Sequence, residues 1–518
     1  MMRRFMYILV FGCICLSLVQ PFIRTHVHYH NLDVAFNYHM ATLMTEGQIP
    51  YRDFIDFNFP TIWYLSLIPA YISTFTHNDS VVLSLFLSLC TIISATTCSY
   101  LISKSNFLSL TEKSLLLITL FFVFSTFQTY DFGQREHLFV LALSPFIFRQ
   151  YFFTLQKKTP ILDAFIGFIT ITGACIKPYF IFTLLGIETL TLLKQGRLTY
   201  SRSMKLGLII GITFWGTIGM YHAHDYLIIA EYARQTYAGQ NTIIGVNPIT
   251  VILTHQLSLL FYASIFLFII LYKNKDTLFT FHSVWITAST LSFIWALVQM
   301  KGFDYHIKIA SSFSVISLSI GFIRFFSLYA RDTIIKKNAP VLLCTAIVLR
   351  QCYTCSSLTE SYADNYLPTR MSRHTDELLS KHKNAKTVFK VSTFSQPLYP
   401  AIIEHRVRDI TGCNTLWYLG SFYRDKDSFA SIHPYRSLHA MQTLERHFFN
   451  KVIHTITTKK PDIIIVADSN NNFFFSVSGF DINKYYLQDH SYSRMLSENY
   501  GVISHAYGHT WYKKRSLQ

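Results

Sequence analysis

The sequence predicts a mainly α-helical, polytopic membrane protein that ends in a small extracytoplasmic α/β domain. Of the 518 residues, 51% are hydrophobic and 14% are charged, whereas about 25% of residues are charged in soluble globular proteins. Apolar runs of roughly 18 residues, each able to cross a hydrocarbon core of about 30 Å as a helix, recur from Phe5 to Cys355. The net charge of +16 comes from short loops and not from a basic stripe, so we expect no nucleic-acid partner.

The first predicted span covers residues 5–23 and follows Arg3 and Arg4. A basic pair before an apolar core also fits a signal peptide, but the small residues of a cleavage site are missing. We therefore expect a retained span with a cytoplasmic N-terminus. The first outer loop, residues 24–78, then lies on the far side, and its apolar piece 61–75 contains Pro69, which favours a helix in the membrane interface.

Charge patterning orients the other spans. With residues 61–75 in the interface, the Lys and Arg clusters of the short loops all become cytoplasmic, as the positive-inside bias predicts. If 61–75 crossed the membrane, these clusters would move outside while the N-terminal arginines stayed inside. The sequence therefore favours about eleven spans within residues 1–355: 5–23, 79–101, 113–128, 137–155, 162–176, 178–193, 206–221, 251–272, 280–299, 307–329 and 339–355.

Residues 356–518 are predicted to form a soluble α/β domain. A strand at 387–393, a helix through 444–456 and a strand at 462–468 follow one another, and "HTWYKK" lies close to the C-terminal end. Strand, helix and strand in succession are typical of an α/β arrangement. An odd number of spans places this domain on the extracytoplasmic side, together with the polar loops.

The polar loops of the outer side carry a group of acids and bases. Asp33 follows the first span, and Asp131, Arg135 and Glu136 lie in "TYDFGQREHL". Ionisable groups that border hydrocarbon cost a few kcal/mol unless they are paired. A carboxylate can accept the proton of an acceptor hydroxyl, and Arg can hold a phosphate with two parallel hydrogen bonds. These residue types therefore indicate a pocket that handles a proton and an anion.

Two lysines also lie at the predicted edge of the membrane. Lys177 lies between two apolar runs in "IKPYF", and Lys301 lies in "KGFDYHIK" with His306 close by. As point charges they suit a phosphate. They would equally serve as anchors that extend to lipid headgroups.

The stretch "GQIPYRDFIDFNFP", residues 47–60, holds Arg52, Asp53 and Asp56. These carboxylates are candidates for catalysis, but the spacing from Pro50 to Asp53 also fits a turn tied by an Arg–carboxylate pair. We assign the three residues to loop shaping. For cofactors we expect none, with a divalent cation as the alternative, because the histidines at 28, 30 and 39 have no acid or Cys to complete a ligand set.

An apolar helix, an Asp in the first outer loop, "GQIPYRDFIDFNFP" and "GQREHL" together resemble the C-type membrane glycosyltransferases. In general plan the bacterial protein O-mannosyltransferases and lipid A aminoarabinose transferases are most similar, over roughly residues 1–355. The resemblance implies an inverting enzyme of the bacterial inner membrane. It would move a sugar from a polyprenyl-phosphate carrier to a lipid, glycan or protein acceptor on the extracytoplasmic face.

By this resemblance Asp33 is the general base, and Asp131, or alternatively Glu136, is the acid of the second loop. The chain departs from the aminoarabinose enzymes at "NFP", 58–60, where those carry Lys and paired prolines. It departs from the O-mannosyltransferases at Val34, where those carry Glu. The donor sugar and the acceptor therefore stay open. The candidates for the carrier phosphate rest on charge more than on motif: Arg135, Lys177, Lys301 and His306.

Two other classes of function fit a polytopic chain. A transporter or lipid flippase places ionisable groups near the middle of the membrane, often between repeated halves. Here these groups gather at one face and the sequence shows no repeat. An envelope scaffold or sensor that presents the C-terminal domain would leave the loop acids without a purpose.

Overall fold

The computed structural model describes residues 30–152 except Phe107, then 159–196, 200–238, 247–272, 277–299, 303–329, 367–413, 416, 418–423, 435–468 and 480–517, with isolated positions at 11, 12, 15 and between 339 and 350. The predicted spans at 5–23 and 339–355 lie largely outside the described residues. Lys301 and the histidine at 28 lie there as well.

The first outer loop is mostly helical. Helix α1 covers Leu32–Thr45 and helix α2 covers Thr61–Thr76, and the two pack against each other. Asn31 caps α1, because its side chain accepts a hydrogen bond of 2.9 Å from the Asp33 amide. Asp33 therefore lies in the first helical turn, whereas the sequence analysis placed it in an irregular loop. The weak periodicity of this buried helix explains the difference: a helix that is covered on most sides does not alternate between polar and apolar faces.

Ten helices follow in the described part of residues 79–329. They are α3 (Asp79–Ser103), α4 (Leu110–Phe124), α5 (Arg135–Phe152), α6 (Pro160–Ile176), α7 (Phe180–Gln195), α8 (Arg202–Ala238), α9 (Pro248–Thr254), α10 (Gln256–Ile270), α11 (Thr277–Gln299) and α12 (Asp304–Tyr329). In the described part of the chain, five helices are long and apolar enough to cross a membrane: α3, α4 with the 3-10 turn after it, α8, α11 and α12. These helices indicate a multi-pass membrane protein, while the count of eleven spans stays a prediction.

Helix α12 lies at the centre of the helical region and α8 at its edge. In the most apolar 18-residue window of each helix, 72% of residues are buried in α12 but 22% in α8. The interior around α12 is rich in hydroxyls, for example Ser289, which donates a hydrogen bond of 2.9 Å to the Ala310 carbonyl. Such hydroxyl bonds between helices suit a helix that is shielded from lipid.

Helices α6 and α8 approach each other at glycines. A Cβ atom at Gly207 would lie 2.0 Å from the Ala164 carbonyl oxygen, and one at Gly167 would lie 2.5 Å from that of Met204. Small residues allow this close backbone contact, which is the usual way in which membrane helices gain packing energy. The pair α5 and α6 is joined by charge instead, because the Arg149 guanidinium forms two hydrogen bonds of 2.6 and 2.8 Å with the Asp163 carboxylate.

The C-terminal residues fold around one five-stranded sheet. Its strands are β1 (Thr387–Val391), β2 (Arg408–Asp409), β3 (Ile463–Ala467), β4 (Tyr500–Ala506) and β5 (His509–Lys514), in the order β2-β1-β3-β5-β4. The first three are parallel, and β5 and β4 are antiparallel to their neighbours. The helices are α13 (Leu367–Lys381), α14 (Ile402–His405), α15 (Leu419–Phe422), α16 (Thr443–Lys459), α17 (Ile482–Leu487) and α18 (His490–Asn499). The predicted strands at 387–393 and 462–468 and the predicted helix correspond to β1, β3 and α16, and β2, β4 and β5 are additional strands.

Candidate active site

Asp33 meets residues from the start of α5. Its Oδ2 atom lies 3.6 Å from Nη2 of Arg135 and accepts a hydrogen bond of 3.2 Å from the Gln134 side-chain amide. The same amide donates a bond of 2.8 Å to Oδ1 of Asn31. The Arg135 side chain is buried, but 22% of the Asp33 side chain is exposed. Asp33 is therefore both oriented by partners and open to an incoming molecule.

Glu136 and Lys177 form a buried ion pair. The Lys177 ammonium donates to Oε1 of Glu136, and both side chains are at most 10% exposed. Lys177 follows the last residue of α6, and its ammonium lies 5.6 Å from the ring centre of Tyr179 and 5.5 Å from that of Tyr305. This cation is held by a carboxylate and two aromatic faces, which are the groups that stabilise a desolvated ammonium.

Asp131 and Lys308 form a second buried pair. Their closest atoms are 3.4 Å apart, and the Lys308 ammonium donates a hydrogen bond of 2.9 Å to the Thr129 hydroxyl. Thr129 has a φ of 46°, which allows the 3-10 turn before α5 to bring this hydroxyl to the lysine. Lys308 is not among the candidate site residues that the sequence indicated. A lysine in an otherwise apolar helix was the available signal, since such a side chain needs a partner.

Asp56 is a fully buried carboxylate within the first outer loop. Its side chain is fully buried, Oδ1 accepts a hydrogen bond of 2.7 Å from the Asn58 amide, and Oδ2 has no hydrogen-bond partner among the described residues. Burial raises the pKa of Asp56 to about 7, although the Asn58 amide and Arg135 lower it. The charge of Asp33 acts in the opposite direction to that of Arg135 and raises this pKa.

The other two residues assigned to loop shaping form contacts away from this group. Asp53 accepts a hydrogen bond of 2.7 Å from the Ile49 amide and so closes a turn. Arg52 lies 3.1 Å from Asp225 of α8, so its ion pair joins the loop to another helix and not to a carboxylate of the loop itself.

The histidines of the first outer loop are separated in space. His30 lies 3.2 Å from the Ser80 carbonyl oxygen on α3, while His39 packs against the ring of Tyr399, with ring centres 5.8 Å apart. His306 is buried at the start of α12 and contacts the ring of Tyr305, with centres 4.4 Å apart. Among the described residues, three or more His, Cys, Asp or Glu side chains are nowhere grouped so that they could hold a metal ion.

The set of three cations and three carboxylates comes from separate parts of the sequence. It consists of Arg135 with Asp33, Lys177 with Glu136, and Lys308 with Asp131. Formally these charges cancel. An anion that enters can therefore bind only if a cation turns from its carboxylate partner towards the anion, or if the partner takes up a proton.

Comparison with known proteins adds information on the fold. Neither a protein-family model nor a curated protein matches the sequence. A similar solved structure is the apo crystal structure of the oligosaccharyltransferase of Archaeoglobus fulgidus, with a TM-score of 0.50 at 9% sequence identity. The match covers 90% of this chain and 70% of that chain. The two chains share a fold. The resemblance to C-type membrane glycosyltransferases, the subgroup and the bacterial origin stay predictions.

Proposed function

We propose that this protein is an integral membrane glycosyltransferase that moves a sugar from a polyprenyl-phosphate carrier to a hydroxyl acceptor on the extracytoplasmic face. The arrangement of a partly exposed Asp33 in front of buried cations carries the proposal. The similarity in fold to a membrane oligosaccharyltransferase supports it. A transporter would instead need charged residues at mid-membrane.

Asp33 acts as the general base in this proposal. The acceptor oxygen attacks the anomeric carbon, the bond from that carbon to the phosphate oxygen breaks, and the acceptor proton passes to the Asp33 carboxylate. Attack from the side opposite the phosphate inverts the anomeric configuration. Arg135 and Gln134 hold the carboxylate in one orientation, which is the role of a second layer of residues around a base.

The cations stabilise the leaving phosphate. When the bond to the sugar breaks, the carrier phosphate gains one negative charge, and a cation close to it lowers the energy of that state. Arg135 presents a planar fork for two phosphate oxygens, and Lys177 and Lys308 supply point charges. Glu136 and Asp131 keep the two lysines in place before substrate binds. Asp131 would thus be a positioning acid of the second loop.

The test is transfer by the purified protein and its Asp33→Asn variant, with a panel of polyprenyl-phosphate sugars and a hydroxyl acceptor. Loss of a general base typically lowers kcat by about 10²- to 10⁴-fold. Glu498→Gln is the matched control, because this acid pairs with Arg494 on the exposed surface of α18. An Asp33→Asn variant that transfers every accepted sugar at the wild-type rate would refute the assignment of the base.

The proposal places the N-terminus in the cytoplasm, the C-terminal domain in the periplasm and the protein in the inner membrane of a bacterium. A reporter that is active only in the periplasm, fused after Gln518, is expected to give signal. We also expect transfer to persist in EDTA, because lysine and arginine already neutralise the site carboxylates. Inhibition by EDTA that Mg²⁺ or Mn²⁺ reverses would contradict this expectation.

A further inference from the structure

The C-terminal domain is joined to the first outer loop through the backbone. The Ile55 amide donates a hydrogen bond of 2.6 Å to the Gly412 carbonyl, and Ile55 and Cys413 pair as neighbours in an isolated parallel bridge. Gly412 has a φ of 73°, a conformation that L-residues with a side chain rarely adopt, and a Cβ atom there would lie 3.5 Å from the Asp53 carbonyl oxygen. This contact lies one residue before the buried Asp56.

Arg406 makes a second connection, at the junction of α2 and α3. Its guanidinium lies 3.2 Å from Oδ1 of Asp79, donates a hydrogen bond of 2.8 Å to the Ser73 carbonyl and one of 2.7 Å to Nδ1 of His77. The Asp79 carboxylate is mostly buried, with 10% exposure. One side chain of the C-terminal domain therefore ties together the end of α2, the start of α3 and the turn between them.

Helix α1, which carries Asp33, packs on the same domain. The ring of Tyr399 meets that of Phe36 edge to face at 5.6 Å and that of His39 at 5.8 Å. The Tyr399 hydroxyl donates a hydrogen bond of 3.2 Å to the Asp409 carboxylate, so the ring is held at both ends. A surface pair between Arg408 and Glu46, 3.0 Å apart, adds little, because both side chains are more than 40% exposed.

These contacts lie before, within and after the segment 47–60, which joins α1 to α2. A chain segment of this length has many conformations in solution, and ordering it costs roughly 1–2 kcal/mol per residue. A misplacement of about 1 Å at a catalytic group can lower the rate by about 100-fold. The buried position of Asp56 and the orientation of α1 therefore depend on what holds this loop.

We propose that the C-terminal domain acts as a splint for the first outer loop, and that Arg406 and Gly412 are positioning residues for the transfer reaction. This inference rests on the proposed function for its effect on rate. The splint itself is a statement about geometry, and it is tested separately. Neither residue touches substrate in this proposal. Arg406 acts through α2 and α3, and Gly412 acts through Ile55.

The first experiment measures proximity with a disulfide. Neighbouring strands lie about 4.8 Å apart, within the roughly 4.4–6.8 Å Cα separation that a disulfide spans, and Cys413 is a free thiol. Ile55→Cys is therefore expected to bond to Cys413 when diamide removes two electrons and two protons from the thiol pair. The bond is read by mass spectrometry of the joined peptides. The controls are Ile55→Cys with Cys413→Ser, and Arg52→Cys, whose side chain is exposed. Failure of Ile55→Cys to bond would overturn the splint.

The second experiment removes the contacts of Arg406 and then replaces them by the disulfide between positions 55 and 413. Arg406→Ala in the Ile55→Cys protein is expected to slow disulfide formation at least tenfold. The same change in the wild-type protein is expected to lower kcat at least tenfold with the KM for the donor unchanged. Oxidation of the doubly substituted protein is then expected to recover most of kcat, which a general loss of folded protein would not allow. Arg408→Ala is the matched control, two residues away on the same domain.

The outcomes separate the two proposals. If wild-type protein transfers no sugar but Arg406→Ala slows cross-linking, the proposed function fails and the splint stands. If Arg406→Ala leaves both the cross-linking rate and kcat unchanged, the splint fails and the function stands. Gly412→Val gives a second, independent perturbation, since it strains the backbone at a positive φ, and wild-type kcat and cross-linking in this variant would also overturn the splint.

Discussion

The buried pair between Glu136 and Lys177 allows stability and activity to be separated. Both charges lie away from solvent, with exposures of 2% and 10%. At an effective dielectric constant of about 20, two unit charges about 4 Å apart attract each other by about 4 kcal/mol. Lys177→Met leaves the Glu136 carboxylate buried without its cation, which typically costs about 3–5 kcal/mol of the free energy of unfolding.

Replacing both partners should reverse the loss of stability but not the loss of activity. Two apolar side chains of similar volume often cost little compared with a buried ion pair. We therefore expect Glu136→Met combined with Lys177→Met to unfold within about 1 kcal/mol of the wild type, by analogy with other replaced buried pairs. Transfer should stay at least tenfold below wild type, because the phosphate has lost a cation.

The assay is a double-mutant cycle in detergent. Each single variant, the double variant and the wild type are unfolded by heat and then compared in transfer from a polyprenyl-phosphate sugar. Arg149→Met with Asp163→Met is the matched control, a buried pair between α5 and α6 outside the site. Full transfer by the Glu136 and Lys177 double variant would refute a role for this lysine at the phosphate, and equal stability of all four proteins would refute the burial argument.

Three further predictions concern single residues. The pKa of Asp56 is raised to about 7 from an ordinary value near 3.8, so the folded protein binds a proton that the unfolded chain has lost. The stability that this bound proton provides is therefore lost as pH rises from about 4 to about 7. In Asp56→Asn the free energy of unfolding should fall by a few kcal/mol less over this range, as measured by unfolding at a series of pH values. Lys308→Met should lower transfer at least tenfold and the melting temperature as well, and adding Asp131→Asn should restore the melting temperature but not kcat, because the buried carboxylate is then neutral while the phosphate still lacks the cation; a melting temperature that stays low in the double variant would contradict the pairing. Gly207→Val should separate α6 from α8 and destabilise the protein, and a wild-type melting temperature would refute the close contact.

The helical plan was largely predictable because hydrocarbon imposes a simple rule. Every backbone group inside the membrane must be bonded within its own segment, so apolar runs of sufficient length become helices. The runs predicted at 79–101, 280–299 and 307–329 correspond to α3, α11 and α12. The strands at 387–391 and 463–467 were predictable for a related reason, since short β-branched runs between polar stretches favour buried strands.

The pairing of charged side chains was harder to predict from the sequence. The sequence pointed to Glu136 because it borders an apolar run, and to Asp33 and Arg135 because acids and bases gather in the same loops, but it did not show which acid meets which base. Lys308 is separated from Asp131 by most of the helical region, and no local pattern links the two. Asp56 was assigned to loop shaping because its neighbours form a turn motif, while its burial depends on elements that are remote in the sequence.

The contacts between the C-terminal domain and the first outer loop were also hidden from the sequence, because they join residues that are far apart in the chain. Arg406 and Asp79 are 327 positions apart, and each is ordinary in its own segment. The amino-acid sequence by itself determined that the chain forms long apolar helices and that strands and a helix follow in its C-terminal part, because these follow from local hydropathy and residue pattern. Only the tertiary structure decided which acid meets which base and what holds the first outer loop, because ion pairs and docking contacts are made between segments whose separation in space the local pattern does not encode.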